Sequence, residues 1–172
     1  MTMGSEAQQC AMLDMVAQTT CNVLKYMMKI DVALYPIDAA SQLPQQGLII
    51  ASVRFSGDIH GLFSCEVEQG LGQDLVANMM SMEAGSLVDP RLVGSAIGEL
   101  VNVIAGNTLA DKKCEQLKVS LTPPELSMVR QIGAACDNNQ VSQLIELPTI
   151  DGIIRLTLTD MLFLGDVFNG LH

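Results

Sequence analysis

The chain has 172 residues, 49% of them hydrophobic and 16% charged, and 9 Lys and Arg face 19 Asp and Glu for a formal charge of −10. This composition excludes wholesale disorder, and the length suffices for a core without staples, so one domain over residues 1–172 is expected. An acidic surface repels phosphate backbones, and with no Trp, 2 Tyr and 4 Phe there is little to stack on bases, so nucleic acid is not expected as a partner.

From about Ser5 to Ile30, Cys10, Leu13, Val16, Ala17, Leu24, Met27 and Met28 recur at helical spacing, which predicts a long amphipathic helix capped by Ser5. Its methionines read as gap-filling core. Asp31 to Ile37 reads as a short strand, and Ser41 to Gly47 as a loop. Leu48 to Phe55 and Ile59 to Val67 are strands flanking the turn Ser56-Gly57-Asp58, a β-hairpin. Gly70 to Glu83 has helical periodicity, with Gly85 as its end. Asp89-Pro90 opens a further helix, Asp as N-cap and Pro at the first helical position, running to about Lys113. Val119 to Pro124 is a strand entering a rigid loop. Val141 to Leu147 and Gly152 to Thr159 are strands joined by a turn at Pro148 to Gly152. Met128 to Gln140 is open to strand, loop or both, and the tail from Phe163 has no assignable structure. Segregated helices and strands in this order predict an α+β fold, with an antiparallel or mixed sheet packed on long helices.

Cys10, Cys21, Cys65, Cys114 and Cys136 are odd in number and unpaired in spacing, as buried small hydrophobes in a reducing cytoplasm would be. His60 and His172 are far apart, and no His–Cys or His–carboxylate cluster suggests a metal. The N-terminus lacks a basic region, and no run of about eighteen uninterrupted apolar residues exists, so a membrane span is not expected.

The segment from Pro90 to Lys113 reads PRLVGSAIGELVNVIAGNTLADKK. On a helix of about 3.6 residues per turn, Val93, Ile97, Leu100, Val101, Ile104 and Ala105 form one apolar side. The opposite side carries Ser95, Glu99, Asn102 and Gly106. Glu99 and Asn102, three apart, project from one surface. Gly94, Gly98 and Gly106 each cost about 1 kcal/mol relative to Ala in a helix interior. They imply close approach, either by a partner molecule or by a neighbouring element of the same chain.

The run Gly98-Glu99-Leu100-Val101-Asn102-Val103-Ile104-Ala105-Gly106-Asn107 resembles the E-x-x-N…G-N signature of the CheC/CheX/FliY family of chemotaxis phosphatases, and is most similar to the CheX type. Two further patches are similar to that family in the right order: Val53 to Gly61 to its Gly-Asp turn and following Gly, and Val119 to Pro124 to its S-x-P-P stretch. Glu99/Asn102 is the only E-x-x-N pair in the chain, which resembles the single-site CheX type rather than the two-site CheC type.

The resemblance implies hydrolysis of the phospho-aspartate of a phosphorylated CheY-like response regulator. Asn102 would position the attacking water, and Glu99 would contact the regulator's active-site lysine. Ser95 and Gly106 would complete the partner-binding face. The chain would hold no cofactor of its own, the Mg2+ belonging to the regulator's acidic pocket. The resemblance also implies a homodimer in the cytoplasm. A non-catalytic module that docks a receiver domain or another signalling partner through the same face is the alternative. A ligand groove between the helices would need a convergent polar cluster, which the sequence lacks.

Overall fold

A period of two in the residues after Gly47 sets one face of a sheet against a layer of helices. The structure, a computed structural model, describes residues 3–30, 32, 47–83, 85–111, 117–129, 143–149 and 152–163. In chain order the elements are α1 (Met3–Val23) with a terminal π-helical turn at Leu24–Met28, β1 (Leu48–Gly57), β2 (Ile59–Glu68), α2 (Gln69–Met79), α3 (Pro90–Leu109), β3 (Val119–Leu121), β4 (Glu125–Val129), β5 (Gln143–Thr149) and β6 (Gly152–Phe163). The strand order is β3-β1-β2-β6-β5, with β4 also paired to β1. Every pairing is antiparallel, which decides between the antiparallel and mixed sheets expected from the sequence.

Ile49, Ala51, Val53 and Phe55 of β1 are buried under the helices, as are Ile59, Phe63, Cys65 and Val67 of β2 and Ile154, Leu156 and Leu158 of β6. The residues between them point to the other face of the pleat. Into this floor α3 drives Ile97, Leu100 and Ile104, all fully buried. Burying each such side chain is worth about 1.5–3 kcal/mol. Met12, Met15, Val16 and Val23 from α1 and Leu71, Leu75 and Val76 from α2 complete the same core. With 20 residues and a mean hydropathy of 1.3 over an 18-residue stretch, α3 passes as a membrane span in length and composition even without an uninterrupted apolar run. Its apolar side chains, however, are spent on the sheet and the other helices, as befits a central core helix.

Several boundaries differ from the sequence expectation. Ser5 lies inside α1, which already runs from Met3. α2 ends at Met79 instead of Glu83, because Ser81 takes a left-handed φ of 55°. The Met82 amide then donates to the Ala77 carbonyl at 2.9 Å, and the Ser81 amide to Asn78 at 3.1 Å. That is a Schellman stop built on Ser where Gly is usual. Gly85 therefore follows the helix end and does not make it. α3 closes at Leu109, where the polar sequence that follows has no apolar face to bury. β5 continues through Pro148 to Thr149, which pairs with Gly152, so these three residues of the expected turn belong to the strands. Pro148 is tolerated because β5 stands at the end of the strand order. β6 extends beyond Thr159 to pair Phe163 with Ile59. The strand expected at 31–37 except Val32, most of the loop before Gly47, residues 130–140, the tail after Phe163, and Cys114, Cys136 and His172 lie outside the described residues.

Candidate functional site

The site begins with the N-terminus of α3. Asp89 accepts a hydrogen bond from the Arg91 amide at 2.8 Å, and Pro90 occupies the first helical position. Both serve the orphan amides of a first turn, as the sequence predicts. The predicted apolar side of the helix, Val93, Ile97, Leu100, Val101, Ile104 and Ala105, is buried throughout.

The opposite side comes out as predicted too. Ser95 and Glu99 are exposed, and Asn102 and Gly106 are partly exposed. Leu92 precedes them on the same stripe, three residues before Ser95. Among the described residues, neither Glu99 nor Asn102 has a hydrogen-bond or ion-pair partner. A carboxylate and a carboxamide thus share one open helix surface, with two acceptor oxygens on one side chain and an acceptor and an NH2 donor on the other. Asn107 is exposed next to Gly106 but off the stripe. Arg91 is exposed, whereas Lys112 and Lys113 lie outside the described residues.

The glycines of α3 divide into two kinds. A Cβ on Gly94 would meet the Leu126 Cδ1 at 3.5 Å and the Met128 Cε at 3.7 Å, and one on Gly98 would meet Leu126 and Pro124 at 3.5–3.6 Å. These two accept the neighbouring strand β4, the intramolecular alternative raised by the sequence. Among the described residues a Cβ on Gly106 would meet nothing within 4 Å, so packing among them gives no reason for that glycine.

The flank of the stripe is built by the segment after α3, and the hairpin motif holds that segment. Gly57 has a φ of 135°, and a Cβ there would lie 2.0 Å from the Lys118 carbonyl oxygen. The Asp58 amide donates to that oxygen at 3.0 Å, and the Asp58 carboxylate accepts from the Lys118 amide at 2.9 Å. Gly61 lies opposite Phe55, whose ring fills the space a Cβ would take, 2.5 Å away. β3 and β4 then lie end to end along β1, β3 against Phe55 to Gly57 and β4 against Leu48 to Ser52. Thr122 spans the break. Its amide donates to the Arg54 carbonyl at 2.9 Å, and its hydroxyl accepts from the Arg54 amide at 3.0 Å. Pro123 and Pro124 follow without amide donors of their own, and Pro124 comes to rest beside Gly98.

Sequence reasoning did not find β4, and so missed that Leu126 and Met128 stand next to the stripe. The period-two pattern of Glu125-Leu126-Ser127-Met128 is a signal, but a short one. Of the described cysteines, neither Cys21 nor Cys65 has a part in the site. Cys65 is buried, and burial, reinforced by the charge of Glu66, pushes its thiol up to about 12. Among the described residues no three His, Cys, Asp or Glu side chains gather as metal ligands.

Residues 49–146 match the family model described as chemotaxis phosphatase CheX. Similar solved structures include chemotaxis protein CheX from Vibrio vulnificus, with 15% identity and a TM-score of 0.68 over 86% of this chain and 95% of that one. CheX from Desulfovibrio desulfuricans has 17% identity and a TM-score of 0.69 over 86% and 97%. A chain of the CheX–CheY–BeF3–Mg2+ complex from Borrelia burgdorferi has 15% identity and a TM-score of 0.63 over 86% and 96%. At such identities the likeness is one of fold. No curated protein matches the chain by sequence.

Proposed function

The chain belongs to the CheX family of chemotaxis phosphatases, and from that premise we propose that it hydrolyses the phospho-aspartate of a CheY-type response regulator. The observation that carries this reading is the shared exposure of Glu99 and Asn102 on α3, with no partner among the described residues. The complex of CheX with CheY in the family supports the choice of partner.

An acyl phosphate is already activated, so the enzyme has no need of a strong nucleophile. It needs one water held in line with phosphorus. The Asn102 carboxamide oxygen accepts a hydrogen bond from that water, and its NH2 group can donate to the phosphoryl group. Glu99 fixes the pose through a charge-assisted hydrogen bond to the regulator's lysine. The water oxygen bonds to phosphorus, and the bond from phosphorus to the aspartyl oxygen breaks. The carboxylate leaves with the electron pair, and the water's proton passes to the released phosphate. The regulator's own Mg2+ would neutralise charge on the phosphoryl oxygens, with no ligand from this chain. Ser95 and Gly106 keep the stripe low so that the partner's pocket can close over it. The whole chain acts as one domain in the cytoplasm. A homodimer would join along one of the two ends of the strand order, β5 or β3/β4.

The test is the decay of a receiver domain phosphorylated by a small phosphodonor. Asn102→Ala should lose about 10²-fold or more of the acceleration, since misplacing the reacting water costs at least that much, while its melting temperature stays that of the parent. Glu99→Ala should mainly raise KM, because a hydrogen bond to a charged group contributes about 1.5–3 kcal/mol. An Asn102→Ala protein as fast as the parent would overturn the assignment. Binding of the receiver without faster decay would favour the docking module instead.

A further inference from the structure

The large apolar side chains at the site are distributed unevenly. Leu92 is 42% exposed, Leu126 49% and Met128 56%. Leu92 stands at the N-terminal end of the Ser95–Glu99–Asn102 stripe. Leu126 and Met128 lie along its flank, on the side of β4. Single exposed leucines are ordinary, but here three large apolar side chains border one polar stripe, one at its end and two on its β4 side.

The patch is also fixed in place. Leu126 and Met128 sit opposite Ala51 and Ile49 in the ladder, so they point to the helix side of the sheet. Gly94 and Gly98 let their methyl ends lie down against α3. The outward half of each side chain is left to solvent.

Resting on the function proposed above, we propose that Leu92, Leu126 and Met128 form an apolar shoulder on which the receiver domain seats the surface around its phospho-aspartate. A single oriented water is useful only where bulk water is kept out, and a charge-assisted contact gains strength when desolvated. Polar side chains alone would leave the joint wet. An apolar border next to the Glu99 and Asn102 contacts supplies the water-excluding ring that strong interface contacts need. The receiver must therefore present apolar side chains beside its active-site lysine, and this shoulder selects among receivers that share the same catalytic pocket.

The test compares the parent chain with Leu92→Ser and with the double variant Leu126→Ser/Met128→Ser, which keep Glu99 and Asn102. Far-UV circular dichroism and melting temperature check the fold, and Leu126→Met serves as the volume-conserving control. Two quantities are read with CheY-type receivers: Kd for the Mg2+-bound, beryllofluoride-loaded form, and KM and kcat for decay of the phosphorylated form. The expected result is a rise of about tenfold in Kd and KM in both Ser variants, with kcat within about twofold and Leu126→Met like the parent. Asn102→Ala would show the opposite split. Unchanged Kd and KM in both Ser variants, with an active parent, would overturn the shoulder and leave the phosphatase reading standing. A parent that binds without turnover, and Ser variants that no longer bind, would keep the shoulder and overturn catalysis. A parent that does neither overturns both. If light scattering shows that the Ser variants lose a dimer while Kd is unchanged, a second copy of the chain occupies the patch and the proposal fails.

Discussion

At Gly57 one missing methyl group decides where a distant segment lies. With φ at 135° and the Lys118 carbonyl oxygen 2.0 Å from any added Cβ, no side chain fits without moving backbone. Asp58 then pairs with both the amide and the carbonyl of Lys118. Gly57→Ala should therefore lower stability by about 2 kcal/mol or more, since both the strained backbone and the overpacking count against it. For a chain of this size each kcal/mol shifts the melting temperature by roughly 2–4 °C, so thermal denaturation followed by circular dichroism would show it. An unshifted transition would mean that the Lys118 segment yields freely. The turn at Ser56-Gly57-Asp58 is legible in the sequence. The reason for its glycine is not, because the oxygen that forbids a side chain belongs to Lys118, far along the chain.

At the scale of the element, α3 is the most readable part of the molecule. Its N-cap, its buried side and its polar stripe all follow from a period of about 3.6. What the period leaves open is the meaning of the glycines. Gly94 and Gly98 belong to the contact with β4, and Gly106 to none within the described residues. Gly106→Ala should accordingly stabilise the helix by about 0.5–1 kcal/mol, the ordinary Gly-to-Ala difference in a helix interior. On the proposed function it should at the same time slow receiver dephosphorylation, because the methyl group projects from the partner-facing stripe. A more stable variant with full activity would show that the partner makes no close approach there. β4 is the element the sequence concealed. Five residues after a pair of prolines are too few for periodicity to declare a strand. Hydrogen bonds from β1 make it one, at the register Leu48 to Val129.

The whole sheet carries a charged row across three strands, on the face away from the helices. Arg155 of β6 is buried, pairs with Glu146 of β5 at 2.6 Å, and stands opposite Glu66 of β2. Burial raises the Glu66 carboxyl above its ordinary value, and the neighbouring Arg155 offsets part of that rise. A raised acid holds its proton more tightly folded than unfolded. Its contribution to stability is present below the ordinary Glu range and is lost as pH rises through the raised value. Glu66→Gln should therefore melt at the same or a higher temperature than the parent at pH 7, with the advantage fading toward acid pH, while Glu146 keeps Arg155 paired. A variant that melts lower at pH 7 would show that the attraction of Arg155 outweighs burial.

The sequence by itself determined the class of fold, the hairpin, the central helix and the identity of the two side chains on its open face, because each of these rests on local chemistry: a capping Asp-Pro, a turn glycine, and apolar residues at periods of two or 3.6. Tertiary structure alone decided which glycines of α3 receive a neighbouring strand, that Thr122 bridges the break in the edge of the sheet, and that Leu126 and Met128 lie against Gly94 and Gly98 beside the polar stripe. Those outcomes depend on segments that meet only after the chain has doubled back, where pairing and burial, not local preference, set the position of every residue.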